Sequence, residues 1–278
     1  MPTTISHGST LHYTKAGAGP PVLFIQGVGA IGRAWRPQLE ALAVDHTVLA
    51  FDNRGIGDSP LGSAPLSIET MASDALAVAD TEGATCFDVV GHSMGGIIAQ
   101  QVALTAPTRV RSLSLLCTFA RGAQGARLSW DLLLAGLRSR IGPPTARRRA
   151  FVELVMPREY LAHVDRAALD AELTDLFGRD LAHQPPIVMR QLKAMGRYDA
   201  LDRLGSLGSI PVLVVSATHD RIALPAFGRQ LAAAIPGARY VEIPDAGHAV
   251  PIQCADLISR LLADHLDRGA PVGSARRA

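Results

Sequence analysis

The residues best suited to chemistry lie in a glycine-flanked turn around Ser93, which reads G-H-S-M-G over Gly91–Gly95. An apolar run, Phe87–Val90, leads into this turn, and a segment with helical spacing, Gly95–Ala106, follows it without a linker. Such a sharp strand-to-helix turn projects the serine hydroxyl into a cleft, and it needs small residues on either side because the two backbones nearly touch. The start of the helix also points free N–H groups toward the serine. The pattern therefore predicts a nucleophilic serine.

A serine hydroxyl is a weak nucleophile unless a base takes its proton, so a histidine should lie within hydrogen-bond reach of Ser93. His248 is the best candidate, because it lies in a short loop directly after the last apolar run. Asp220 follows the preceding apolar run and is predicted to orient the imidazole. Asp245 is a rival acid three residues before His248, but we interpret it as a turn residue.

Six apolar runs bounded by Gly, Pro or Asp predict strands. The runs are continuously apolar, which is typical of strands covered by helices on both faces. Their alternation with helical segments favours an α/β fold with a mostly parallel central sheet and right-handed crossovers. Thr4–Thr14 is predicted to add an antiparallel hairpin at one edge. The predicted strands are Val22–Gln26, Thr47–Phe51, Phe87–Val90, Ser112–Cys117, Val212–Ser216 and Tyr240–Ile243, and the predicted helices among them are Ala34–Ala43, Ile68–Glu82 and Gly95–Ala106.

Between about residues 121 and 205 the strand-like runs disappear, and helical segments punctuated by proline replace them. Leu128–Leu137, Arg147–Met156 and Arg166–Phe177 are predicted as helices. Ligands in open α/β sheets bind outside the carboxyl ends of the strands, so we predict that these helices form a lid over that edge. The expected organisation is a core over residues 1–120 and 206–268, a helical cap over 121–205 and a flexible tail over 269–278.

Composition argues against several classes of protein. The net charge is +2 and 48% of residues are hydrophobic, which disfavours disorder and gives no charge surplus for nucleic acid or an anionic membrane. No apolar run approaches the ~20 residues that span a bilayer, and no signal-peptide pattern is present. Cys86, Cys117 and Cys254 lie in apolar stretches and are interpreted as buried, inert thiols. We predict a cytoplasmic protein, a monomer or a homodimer.

The sequence resembles the α/β-hydrolase superfamily, in particular its small capped esterase, lactonase and haloperoxidase-like members. The chain order Ser93, Asp220, His248 is the order found in this family. Some members place the acid after the strand that follows the serine helix, but Cys117–Ala120 has no carboxylate there, so Asp220 keeps the role. The other matching segments are Phe24–Gly29, which reads F-I-Q-G-V-G, and Phe51–Ser59, which reads F-D-N-R-G-I-G-D-S.

The resemblance implies an oxyanion hole formed by the backbone N–H groups of Val28 and Met94. Gln26 stands where many members carry a histidine, a departure that leaves both main-chain donors in place. The chemistry requires no cofactor, and the histidines show no spacing typical of a metal site. An apolar acyl pocket is predicted from Trp35, Phe119, Trp130 and Met156, each of which is equally suited to plain core packing.

These features predict a serine hydrolase that cleaves carboxylic esters through an acyl-enzyme, with a carboxylesterase for small to medium apolar esters favoured. Lactonase or enol-lactonase, thioesterase, C–C bond hydrolase and cofactor-free perhydrolase activities would use the same residues and stay open. A haloalkane dehalogenase or epoxide hydrolase is disfavoured, because those members carry Asp where Ser93 stands. The alternative outside enzymes is a ligand receptor of the same fold.

Overall fold

A computed structural model of the protein describes residues 1–126 and 137–268. Eight strands form one sheet: β1 (Thr3–Ser6), β2 (Ser9–Ala16), β3 (Pro21–Ile25), β4 (Thr47–Phe51), β5 (Phe87–His92), β6 (Val110–Leu116), β7 (Val212–Ala217) and β8 (Arg239–Ile243). Their order across the sheet is β1-β2-β4-β3-β5-β6-β7-β8. The β1–β2 and β2–β4 pairs are antiparallel, and the other neighbouring pairs are parallel. The predicted α/β class, the mostly parallel sheet and the edge hairpin are confirmed.

The central strands are buried on both faces, as their continuous apolar runs predict. In β3 the side chains of Val22, Leu23, Phe24 and Ile25 are all 0% exposed. Burial of each such side chain contributes roughly 1.5–3 kcal/mol, so the sheet centre is the main source of apolar stabilisation. All six predicted strands occur, with their ends displaced by at most two residues.

Helices cover both faces of this sheet. In the first part of the chain they are α1 (Arg36–Leu42), α2 (Ile68–Thr81) and α3 (Met94–Thr105). The Ser67 hydroxyl caps α2 by accepting a hydrogen bond from the N–H of Thr70. The helix predicted over Ala34–Ala43 is divided, because a 3-10 turn over Gly32–Trp35 precedes α1. Pro37 has no N–H to bond to the preceding turn, so the α-helix begins beside it.

Between β6 and β7 the described residues form helices, turns and one isolated bridge between Arg121 and Asp199. We call the described residues 137–200 the inserted segment. The helices between β6 and β7 are α4 (Gly122–Ala126), α5 (Pro144–Val155), α6 (Arg158–His163), α7 (Arg166–Phe177) and α8 (Val188–Gly196), followed by a 3-10 helix over Leu201–Ser209. The inserted segment has a small hydrophobic cluster of its own, which includes Val152, Leu169 and Leu173. The helices predicted over Arg147–Met156 and Arg166–Phe177 are therefore present.

Three further helices complete the described chain: α9 (Pro225–Ala234), α10 (Val250–Gln253) and α11 (Ala255–Arg268). Within the described residues, no helix has both the length and the apolar character needed to cross a membrane. The helix predicted over Leu128–Leu137 lies almost wholly outside the described residues, and the predicted tail over 269–278 lies wholly outside them. The division of the chain into a core and a cap stays a prediction.

The three cysteines differ in exposure, which corrects one expectation. Cys117 is buried and Cys254 is partly buried, but Cys86 is exposed. Cys86 lies one residue before β5, so the apolar run that follows it enters the core while the cysteine itself stays in the preceding loop. An apolar neighbourhood in sequence is therefore not enough to bury a residue at the end of a strand.

The buried His265 of α11 gives a pH-dependent stability that can be measured. Burial lowers the pKa of this imidazole to about 4, against about 6.5 in an unfolded chain. Between these values the unfolded state binds one more proton, so the free energy of unfolding falls as the pH falls. We expect His265→Gln to flatten that slope by about 1.4 kcal/mol per pH unit between about pH 6 and pH 4.5, measured by urea unfolding. Above about pH 7 the two slopes should agree; equal slopes at acid pH would contradict the prediction.

Candidate active site

The carboxyl edge of the sheet brings together the three side chains singled out in the sequence. Ser93 directly follows β5, Asp220 lies in the loop after β7, and His248 lies in the loop after β8. All three are buried, with residue exposures of 7%, 2% and 7%. Because parallel strands end at one edge, residues more than 100 positions apart in the chain reach one place.

A continuous chain of hydrogen bonds joins them. The His248 Nε2 atom lies 3.0 Å from Ser93 Oγ, and Nδ1 lies 2.8 Å from Asp220 Oδ2. A carboxylate can only accept, so Nδ1 carries the proton and Nε2 is left to accept from the serine hydroxyl. The other oxygen of Asp220 accepts from the N–H groups of Ile222 and Ala223, both at 2.8 Å, which fixes the carboxylate in place.

The backbone at Ser93 adopts φ 56° and ψ −122°, a conformation that L-residues rarely take. Its glycine neighbours allow this turn. A Cβ on Gly95 would lie 2.1 Å from the carbonyl oxygen of Ile25, and a Cβ on Gly91 would lie 2.3 Å from that of Gly95. The sharp turn therefore depends on side-chain-free positions two residues before and two residues after the serine.

Two backbone N–H groups lie close to Ser93: that of Met94, the next residue in the chain, and that of Val28, which follows a glycine packed against Ser93. Met94 is the first residue of α3, where N–H groups have no intrahelical acceptor. Val28 follows Gly27, whose α-carbon approaches so closely that an added Cβ would lie 3.0 Å from Ser93 Cβ. Among the described residues neither Val28 nor Met94 donates its N–H to a protein acceptor. These are the two residues that the sequence comparison with the family pattern singled out.

Gln26, the departure from the family pattern, helps to hold this loop. Its side-chain oxygen accepts from the N–H of Gly27 at 3.2 Å, and its backbone carbonyl accepts from the Asn53 amide at 3.0 Å. The side chain is 5% exposed and lines the cavity beside Ser93. The loop is thus tied at its base without a histidine.

His92 has a contact that sequence reasoning missed. Its Nε2 atom lies 2.8 Å from the carbonyl oxygen of His248, and the two rings are 4.8 Å apart. Because a carbonyl can only accept, His92 Nε2 carries the proton. Burial, followed by the neighbouring His248, lowers the pKa of His92 to about 3, so the ring stays neutral and donates at working pH. Its place beside the serine gave no signal, because adjacent residues on a turn usually point apart.

Cys117 lies beside Asp220, fully buried and at φ 45°. Burial raises the pKa of its thiol, and the charge of Asp220 adds to the effect. Cys117, His92 and His248 offer possible metal-ligand atoms within 4.8 Å of one another. Both ring nitrogens of His248 and Nε2 of His92 are already hydrogen bonded, so a metal there would have to break these bonds.

A mainly apolar cavity of about 420 Å³ lies over Ser93 and His248. Of the predicted pocket residues, Phe119 and Met156 line it. Trp35 is fully buried instead, packed against Phe24 and edge-on to His92, because its large ring fills the core behind the site. Trp130 lies outside the described residues. The inserted segment supplies much of the wall, including Leu154, Val155, Leu173, Val188, Leu192 and Met195.

A family model described as alpha/beta hydrolase fold matches residues 20–253 of the chain. The chain belongs to the α/β-hydrolase fold family. The match spans the six strands β3 to β8, the inserted segment and the loop that carries His248. The resemblance drawn from five sequence motifs is confirmed, and membership of this family supports hydrolase activity.

Several relatives within the α/β-hydrolase family align over almost the whole chain. RutD of Azorhizobium caulinodans, named as a carbamate hydrolase, is 32% identical over 94% of this chain and 97% of its own length. The enol-lactonase structure from Burkholderia xenovorans LB400 is 29% identical, covering 96% of this chain and all of that one, with a TM-score of 0.80. The structure of BpoC from Mycobacterium tuberculosis, named as a non-heme bromoperoxidase, is 30% identical, covering 94% and 97%, with a TM-score of 0.79.

Gly95→Ala tests whether the close approach at the serine turn is essential. The new methyl group would overlap the Ile25 carbonyl, which belongs to β3 and cannot move without disturbing the sheet. We expect the free energy of unfolding to fall by about 3 kcal/mol or more and the melting temperature to fall by at least about 5 °C. Gly205→Ala is the matched control, because a Cβ there meets nothing within 4 Å. Equal melting temperatures for Gly95→Ala and the control would contradict the prediction.

Proposed function

We propose that the protein is a serine hydrolase that cleaves carboxylic esters through an acyl-enzyme, with Ser93 as nucleophile, His248 as base and Asp220 as the orienting acid. The observation that carries this proposal is the unbroken Asp220–His248–Ser93 hydrogen-bond chain that opens into an apolar cavity. A weakly nucleophilic hydroxyl gains reactivity from a base in this geometry.

In the proposed reaction His248 Nε2 takes the Ser93 proton as Oγ attacks the ester carbonyl carbon. The resulting oxyanion accepts hydrogen bonds from the N–H groups of Val28 and Met94. The tetrahedral intermediate then expels the alcohol, which receives the proton from His248. A water molecule, deprotonated by His248, hydrolyses the acyl-enzyme and restores the serine. Asp220 holds the imidazole in the required tautomer and stabilises its protonated form.

The cavity favours small to medium, largely apolar acyl groups. Its volume of about 420 Å³ lies within the usual range for small-molecule sites, and its wall is mostly Leu, Ala, Val, Phe, Ile and Met. Lactones are cyclic esters and would react by the same steps, so lactonase activity is the second candidate. The alignment with an enol-lactonase over that chain's full length favours it. Carbamate cleavage is a third possibility, suggested by the relationship to RutD.

The nucleophile is tested by comparing wild type with Ser93→Ala on p-nitrophenyl acetate and butyrate. We expect kcat/KM to fall by roughly four orders of magnitude, because the covalent step is lost. Ser206→Ala, at an exposed serine, should keep wild-type activity. If wild type turns over no better than Ser93→Ala, while both bind a small molecule tightly, a ligand receptor replaces the hydrolase.

The acid is tested by Asp220→Asn against Asp245→Asn. Asp220 Oδ2 contacts His248 directly, whereas the Asp245 side chain is 94% exposed and lies 3.6 Å from His219. We expect Asp220→Asn to lower kcat by roughly 10³- to 10⁴-fold, since the amide favours the wrong histidine tautomer. Asp245→Asn should leave kcat within about twofold of wild type. The reverse ranking would assign the acid to Asp245.

A further inference from the structure

The inserted segment holds the backbone just beyond Val28 by two side-chain hydrogen bonds. The N–H of Gly29 donates to Gln191 Oε1 at 2.9 Å, and the carbonyl of Gly29 accepts from the Arg179 guanidinium at 3.0 Å. Gln191 lies on α8 and Arg179 lies in the turn after α7, so both anchors come from residues at least 150 positions away in the chain. Gly29 adopts φ +70°, a conformation suited to glycine.

The side-chain amide of Gln191 acts through its oxygen, which accepts the hydrogen bond from Gly29. The side chain is 0% exposed, and its Nε2 atom has no hydrogen-bond partner among the described residues. A buried polar atom without a partner destabilises the folded state, and an apolar side chain of similar size would avoid that cost. Within the described parts of the chain, the one hydrogen bond of this amide is with the Gly29 N–H, in the peptide unit directly after Val28.

Arg179 makes a second anchor of the same kind. Its guanidinium donates to two backbone carbonyls, those of Gly29 and His183, and forms no ion pair among the described residues. A partly buried guanidinium more commonly bonds to a carboxylate. Here it connects the loop over residues 26–31, which follows β3, to the inserted segment through main-chain atoms.

Packing and ion pairs reinforce this connection. A Cβ on Gly29 would lie 3.0 Å from Val188 Cγ2, at the start of α8. Asp175 of α7 forms ion pairs with Arg33 and Arg36, just beyond the loop. The inserted segment therefore contacts the loop over residues 26–31 through side chains, and it contacts the residues just after that loop through ion pairs.

We infer that Gln191 and Arg179 are positioning residues that set the direction of the Val28 N–H through Gly29, so that the inserted segment is part of the oxyanion hole as well as the wall of the cavity. This inference rests on the proposed serine hydrolase mechanism. Neither residue lines the cavity, so neither should contribute to ground-state binding of substrate. The oxyanion forms only during reaction, so a displaced donor should lower kcat and leave KM nearly unchanged.

Gln191→Met tests this inference, because Met fills a similar volume but has no strong acceptor. We expect kcat for p-nitrophenyl butyrate to fall by about 10- to 100-fold with KM within about threefold of wild type. The inhibition constant of a boronic acid, which forms a tetrahedral adduct with the serine, should rise by a similar factor. Arg190→Met, at an exposed position on the same helix, is the matched control and should match wild type.

Gln191→Glu keeps an acceptor and should recover most of the lost kcat, which a merely space-filling role would not predict. Arg179→Met should lower kcat with KM retained, whereas Arg148→Met removes a nearby ion pair with Asp180 and should not. These two variants decide the question if Gln191→Met does not fold. The inference is overturned if wild type hydrolyses the ester and Ser93→Ala does not, yet Gln191→Met and Arg179→Met keep wild-type kcat. If wild type itself is inactive, the proposed function fails instead.

Discussion

The unusual backbone conformation of Ser93 is the constraint on which the rest of the site depends. A non-glycine residue at φ 56° and ψ −122° persists only when its surroundings fix it on every side. The Ser93 N–H donates to the Leu116 carbonyl at 3.0 Å, and its carbonyl accepts from the Thr118 hydroxyl at 2.7 Å and from the N–H of Gly96 at 2.9 Å. Leu116 at the end of β6 and Thr118 just after it thus hold the serine turn, and the buried sheet holds β6. The position of the Ser93 hydroxyl therefore depends on the stability of the sheet.

Much of this could be predicted from sequence, because the signals are local. A continuous apolar run predicts a strand covered on both faces, and G-x-S-x-G between a strand and a helix predicts the turn. Once the sheet is parallel, the loops carrying Asp220 and His248 must lie at the same edge. Ser93, Asp220 and His248 come together because each follows the carboxyl end of a parallel strand. The alternation of strands and helices along the sequence already indicates that parallel arrangement.

Other features depend on contacts that no local pattern records. Gln191 is one polar residue on an amphipathic helix, and its spacing shows that it can face inward but not that its partner is Gly29. Trp35 has the size of a pocket residue, yet it packs against Phe24 and His92 in the core. The exposure of Cys86 was missed for a similar reason, since a single position separates this exposed loop residue from the buried strand β5. Periodicity gives the face of an element, whereas the partner on that face comes only from the assembled fold.

Most polar groups around the proposed reaction centre have a hydrogen-bond partner within the protein. Asp220 has both oxygens occupied, His248 uses both ring nitrogens, and His92 donates to a carbonyl while staying neutral. The N–H groups of Val28 and Met94 are the exception, since neither bonds to an acceptor within the described parts of the chain. In a low-dielectric, apolar cavity such unpartnered donors attract negative charge more strongly than they would in water. Their direction therefore matters most, and the contacts around Gly29 are where the inserted segment acts on it.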